Sequence, residues 1–416
     1  MDHVTEPQAA IDQTSTNRIG FAPALRSRNF RLFWVGQIIS TLGTFLQMVA
    51  ENWLLYQMTG STFLFGVVGF VGLLPVVPIS FLGGVIVDRV SRRKVIIVTQ
   101  IGLLAQAMVF GLLAVTGHIR VWHIVFLDFV LGALYAIDQP ACQAFLVEIV
   151  SKANLANAVA LNSAIFQLSR GQAASGALVA TIGAGGAMLL NAATYLAPIA
   201  SVTRIRVGNV GRNVERAPLG VALSQGITTL WKRSVLLGTL SLMATAGGLP
   251  LAISLMMPAF AEQVLDTDSI GLGLLLASSA VGSVFSTLLA ARLGTGGRGR
   301  TLMASSFLLP LFLIAFAGSR SLLVSCLILL MIGMLQSVLH AMATTLVQVN
   351  VPDGVRGRVM SLYGMLIIGA PKMAGVLIGG VAEYLGLPLT ISLGSLLAFL
   401  YVLGVGIFLP SVRHLD

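Results

Sequence analysis

The chain has 416 residues, 56% of them hydrophobic and 10% charged, with a mean hydropathy of +0.93. A soluble domain carries about 25% charged residues, so this composition cannot cover a water-facing surface and excludes an ordinary soluble protein. A net charge of +10 would point to nucleic acid in a soluble chain; here most of the cations fall in alternate loops, a topological pattern, and no nucleic-acid partner is expected.

Apolar runs long enough to cross a hydrocarbon core of ~30 Å as helices recur along the whole length. Residues 1–20 are polar with no apolar core, so no cleavable signal peptide is expected. Residues 1–29 read as a cytoplasmic tail. The first helix runs from about Phe33 to Tyr56 and the second from Phe63 to Val87, joined by the turn Thr59-Gly60-Ser61. The third spans Val95–Thr116, the fourth Val121–Phe145 and the fifth Asn157–Ile182. A glycine-rich turn at Gly183–Gly186 leads into the sixth, which ends near Val202.

Residues 204–233 then carry Arg204, Arg206, Arg212, Arg216, Lys232 and Arg233 with little apolar periodicity, as a cytoplasmic linker would. Six further apolar runs follow, at about 235–261, 270–291, 301–317, 321–347, 359–382 and 387–409. The expected fold is an all-α membrane protein of twelve transmembrane helices. Residues 30–203 form one six-helix bundle and 234–410 a second, with a tail at 411–416. With the N-terminus inside, 21 of the 25 Lys and Arg fall in tails and cytoplasmic loops, the bias that cytoplasmic loops carry. Both termini are therefore expected in the cytoplasm. The two halves also match weakly at an offset of 201 residues, VSKANLANAVALN from Val150 against VPDGVRGRVMSLY from Val351, which supports a duplicated unit.

Between the second and third helices stands GGVIVDRVSRRK, Gly83 to Lys94. Its glycines permit close helix packing, and its cations hold the loop on the cytoplasmic side. The order Gly, three apolar residues, Asp-Arg, a gap and Arg-Arg-Lys resembles motif A of the major facilitator superfamily. RNFRLFWVGQIISTLGTFLQMVAENWLLYQMTGS, DQPACQAFLVEIV with ANAVALNSAIFQLSR, MMPAFAEQVL and VPDGVRGRVMSLYG resemble one branch of it, which holds the bacterial enterobactin (siderophore) exporter and macrolide-efflux proteins. The resemblance covers nearly the whole chain in order.

That resemblance implies a multi-pass transporter of the bacterial inner membrane. It would export amphiphilic small molecules by alternating access, usually in exchange for protons, and is expected to act as a monomer. Gly84, Asp88, Arg89, Arg92 and Arg93 would then form a conformational gate, with Asp88 near the start of the eleventh helix. Two departures stand out. Ala173-Ala174 replace the Gly-Pro pair of the antiporter signature, and the second copy of motif A has Ala290-Ala291 in place of an acid.

Ionisable groups at membrane depth cost roughly 2.5–3.5 kcal/mol each on insertion scales, so Glu51, Asp128, Asp138, Arg170, His340 and Lys372 each need a reason. The 201-residue offset carries Arg170 to within one residue of Lys372 and Asp138 to within one residue of His340. Polar groups of both halves thus lie at nearly matching depths. Asp138 and Arg170 read either as a permanent salt bridge or as a proton or substrate site. Glu51 either reaches outer headgroups or faces a cavity; Asp128 reads as a boundary acid; His340 reads as structural or as a proton group. Lys372 needs an acid if it lies within the bundle. The candidate proton-coupling or substrate cavity is accordingly Asp138, Arg170, Glu51, His340 and Lys372.

No phosphate loop, nucleophilic constellation or metal-ligand spacing occurs, and Cys142 and Cys326 lack paired spacing, so no cofactor, metal or enzymatic activity is expected. The rival functions are a lipid mover of the same fold, a solute importer and a membrane enzyme.

Overall fold

The computed structural model describes residues 23–76, 78–79, 90–151, 154–155, 157–158, 161–162, 173–205, 228, 233–290, 297–351, 356–409 and 413. Among them every regular element is a helix. The first half holds α1 (Arg28–Thr59), α2 (Phe63–Leu73), α3 (Arg92–Val115), α4 (Val121–Ile149), α5 (Ala173–Thr194) and α6 (Leu196–Arg204). The second holds α7 (Ser234–Leu242), α8 (Gly248–Leu255), α9 (Met257–Gln263), α10 (Ser269–Ala290), α11 (Arg298–Gly318), α12 (Leu322–Asn350), α13 (Arg356–Leu385) and α14 (Leu387–Phe408). Ten helices among the described residues are long and apolar enough to cross a membrane, and α2 is a shorter apolar helix at the start of the second expected span.

The molecule is an all-α membrane protein with twelve spans in two six-helix bundles. Three breaks in the helices have reasons the sequence explains. Gly183 stands at φ 72°, ψ 167° inside α5, a conformation open essentially to glycine alone, and it divides the fifth span from the sixth. The seventh span is α7 to α9 in series, with a π-helical segment at Met243–Gly247. Pro250 lacks the amide that would bond back to Ala246, and an added residue in the turn absorbs that loss. A second break at Met256 precedes Pro258 near the start of α9. By contrast, α4, α11 and α13 run continuously through Pro140, Pro310 and Pro371.

Large apolar side chains cover the outside, Leu323 and Leu377 each being 71% exposed; acyl chains, unlike water, accept such a surface without cost. Inside, Phe260 and Phe316 stack at 4.3 Å between α9 and α11. The two bundles meet along α2 with α13 and along α5 with α10. Both contacts lie toward the end of the molecule that carries the Gly60 turn, called here the Gly60 end; α3 starts at the opposite, Arg92 end. Gly66 packs on the backbone of Gly375 and Val376 so closely that any side chain there would force α2 away from α13. Thr62 Oγ1 donates to the Gly379 carbonyl at 3.0 Å across the same contact.

Candidate functional site

A cavity of about 390 Å³ lies between the halves, walled by α1 on one side and by α8, α10, α12 and α13 on the other. On α1 the lining residues Phe45, Met48 and Asn52 recur at helical spacing, so one face of that helix looks into it. The wall is mostly apolar with a few polar groups, among them Gln336, His340 and Lys372, the composition of a site for an organic ligand. Gln336 Nε2 also donates to the Gly247 carbonyl at 3.2 Å, so α12 holds the π segment of the seventh span. His340 faces the ring of Tyr363 at 6.2 Å, and the Tyr363 hydroxyl shares a 2.7 Å hydrogen bond with Thr344 Oγ1.

Charges gather at the side of this cavity. Lys372 comes from α13, in the second half. Its stem lies across Gly69 of α2, Cγ and Cδ standing 3.8 and 4.0 Å from where a Cβ would be. One turn further along α2, the Asp128 carboxylate of α4 fills the space a side chain at Gly72 would need. Glu51 of α1 is buried, and it lies within electrostatic range of both Asp128 and Lys372; Asp128 lies within range of Lys372 as well. Two acids of the first bundle thus lie in range of a cation of the second. Asp128, expected as a boundary acid, is part of this cluster and is buried.

Asp138 lies elsewhere. It is 1% exposed, and its carboxylate accepts from Thr99 Oγ1 at 2.5 Å, from Gln100 Nε2 at 3.2 Å and from Cys142 Sγ at 3.6 Å. These bonds tie α4 to α3 inside the first bundle, and Asp138 is not among the residues lining the cavity. Its expected partner Arg170 lies outside the described residues, as do Gly84, Asp88 and Arg89 of the gate motif. Arg92 and Arg93 are described. Arg92 pairs with Glu148 at the end of α4, and Arg93 donates to the Thr203 carbonyl at the end of α6. Both arginines therefore clamp helices of the first bundle to one another.

A further polar network escaped the sequence reading because its members are uncharged. Asn191 Nδ2 donates to Gln47 Oε1 at 2.7 Å, Gln47 Nε2 to Gln106 Oε1 at 3.4 Å, and Gln106 Nε2 to the Leu127 carbonyl at 3.3 Å. Thr44 joins the hydroxyls of Tyr135 and Tyr195 at 2.8 and 3.1 Å. Such bonds between spans hold α1, α3, α4 and α5 in register where lipid offers no hydrophobic drive. No group of three or more His, Cys, Asp or Glu placed to hold a metal occurs among the described residues.

The sequence profile of the family described as transmembrane secretion effector matches residues 19–416. The chain is 26% identical to the multidrug efflux pump Tap of Mycolicibacterium fortuitum over 90% of its own length and 94% of that protein. It is 22% identical to the staphyloferrin A transporter of Staphylococcus aureus, over 87% and 92% respectively. Among solved structures, it resembles a bacterial homolog of the human lysosomal transporter Spinster with a TM-score of 0.69 at 12% identity, covering 93% of this chain and 98% of that one.

Proposed function

The chain belongs to the transmembrane secretion effector family of major facilitator transporters, and we propose from that premise that it exports amphiphilic small organic molecules in exchange for protons. The observation that carries the reading is the cluster of Glu51, Asp128 and Lys372 beside the cavity, with two acids on one bundle and the lysine on the other. With all three ionised it holds one net negative charge. A proton on either acid, or a positive group on a bound substrate, brings it to neutrality. In a medium where uncompensated charge is expensive, proton and substrate then exclude each other, and exchange follows. One elementary charge falling through 100 mV supplies about 2.3 kcal/mol.

The charge bias of the loops supports a bacterial plasma-membrane orientation with both termini cytoplasmic and the Gly60 end outside. The contacts of α2 with α13 and α5 with α10 support a state closed on that side. Bundles at 30–203 and 234–410, joined by the linker 204–233, would rock about these contacts, with Gly84, Asp88 and Arg89 gating the inner side. The protein is read as a monomer. Asp138 belongs to the first bundle's scaffold in this reading, and His340 to the cavity wall.

Inverted membrane vesicles test the reading. Respiration should drive uptake of an amphiphilic dye that collapses on adding a protonophore. Uptake of the dye in right-side-out vesicles instead, or indifference to the protonophore, sinks the exchange.

A further inference from the structure

At the Gly60 end one acidic side chain crosses from bundle to bundle. Glu383 stands in the last turn of α13, exposed, and its Oε1 accepts from the Phe63 amide at 3.3 Å and from the Ser61 hydroxyl. Phe63 is the first residue of α2. The first amides of a helix lack partners within it and carry partial positive charge. No side chain of the N-cap residue Thr62 serves them; its Oγ1 is turned to the Gly379 carbonyl. For the Phe63 amide, a carboxylate of the second bundle therefore does what a local Ser, Asp or Asn normally does for the first turn of a helix. Ser61 completes the arrangement, donating to Glu383 and accepting from the Leu64 amide at 3.3 Å.

We propose that Glu383 is a latch in trans: it closes the Gly60 end by capping α2, and each opening of that end breaks the cap. The cap can be satisfied only while α2 and α13 are in contact. When the bundles part there, the Phe63 amide and the carboxylate both return to water while Ser61 keeps the Leu64 amide, so the Glu383 bond counts only toward the closed state. Its position beside the close approach of Gly66 to Val376 makes it sensitive to small separation. The Asp88 gate, as expected from the sequence, places an acid of the first bundle near the start of the eleventh span. Glu383 is the converse: an acid at the end of the eleventh span serves the start of the second. In this proposal the two latches act at opposite ends and oppose each other.

The proposal rests on the protein alternating between two states, which can be read without transport. Spin labels at His118→Cys and Ser321→Cys, both in exposed loops at the Gly60 end of opposite bundles, report its opening as a longer distance by double electron–electron resonance. The background carries Cys142→Ser and Cys326→Ser. Glu383→Ala and Glu383→Gln should raise the ratio of long to short distances on the order of fivefold, Ser61→Ala should move it the same way by less, and Asp88→Asn should lower it. Tyr384→Ala, a neighbouring exposed position, should leave it unchanged. Gly66→Leu serves as the control that forces the contact apart. If Gly66→Leu lengthens the distance and the Glu383 variants do not, the latch is overturned; no response to any of them overturns it equally. A response of Glu383 in a protein that moves no dye leaves the latch standing and removes the export reading instead.

Discussion

The stem of Lys372 lies across Gly69, its Cγ 3.8 Å from the place of a Cβ on that glycine. This contact joins α13 to α2 one turn from Gly72, where the Asp128 carboxylate packs. An alanine at 69 would meet ordinary van der Waals contact, whereas a leucine would occupy the lysine's path. Gly69→Ala should therefore retain proton-driven dye uptake in inverted vesicles, and Gly69→Leu should lose most of it. Equal activity in the two variants would detach Lys372 from coupling.

Glu51 and Asp128 are the acids that the net charge of the cluster turns on. Glu51→Gln or Asp128→Asn leaves the cluster neutral without a proton, so exclusion between proton and substrate disappears. Each should abolish respiration-driven accumulation yet permit downhill dye efflux from loaded proteoliposomes. Loss of both activities would indicate a folding defect, and survival of accumulation in both variants would refute the assignment.

Lys372 also has a structural share. Removing the half-buried Lys372 leaves two buried acids without the cation in their range, which costs stability. Lys372→Met should lower the thermal unfolding midpoint in detergent, and the double variant Glu51→Gln with Lys372→Met should recover most of it. Absence of such recovery would show that the acids and the lysine do not share their compensation.

Asp138 is held by Thr99, Gln100 and Cys142, outside the cavity wall. Asp138→Ala leaves the buried Gln100 amide without an acceptor, at about 1–3 kcal/mol, while Thr99 Oγ1 keeps the Val95 and Ile96 carbonyls of its own helix, and should depress the unfolding midpoint. Asp138→Asn keeps an acceptor for Thr99 and should retain coupled transport at reduced stability. Abolished coupling with an unchanged midpoint would move Asp138 into the proton path.

How much of this was legible beforehand follows from what each residue reports. Hydropathy locates spans because a lipid-crossing segment must be long and apolar, and the helices from α1 to α14 fall where the runs fall, most of them extended by a few residues at their ends. Gly183 was readable as a turn because a glycine cluster has few other uses there. Lys372 and Glu51 were readable as costly charges, but their meeting was not: it depends on α2 offering Gly69 and Gly72 as empty space between two bundles. Asp128 reads from its distance to the helix end as a boundary acid that reaches water, and only the packing of α4 on α2 buries it. Gln47, Gln106 and Asn191 carry no charge to mark them, so their network could come only from three-dimensional proximity.

The Arg92–Glu148 pair gives a last expectation, one about the first bundle alone. Arg92 belongs to the gate motif, yet its described partner sits on α4 of the same bundle, so the pair fixes the start of α3 against the end of α4 and does not bridge the halves. The two side chains are 21% and 19% exposed, which leaves modest solvent screening and places the pair at or above the upper end of a surface bridge, about 1 kcal/mol. Glu148→Gln should lower the unfolding midpoint slightly in low salt and less in high salt. The exchange of charges, Arg92→Glu with Glu148→Arg, should restore most of the loss. The spin-label distance across the Gly60 end should stay as in the parent protein, because a clamp within one bundle is equally satisfied in both states. A shift of that distance in Glu148→Gln would make Arg92 a partner in the movement between bundles and would reassign it from scaffold to gate.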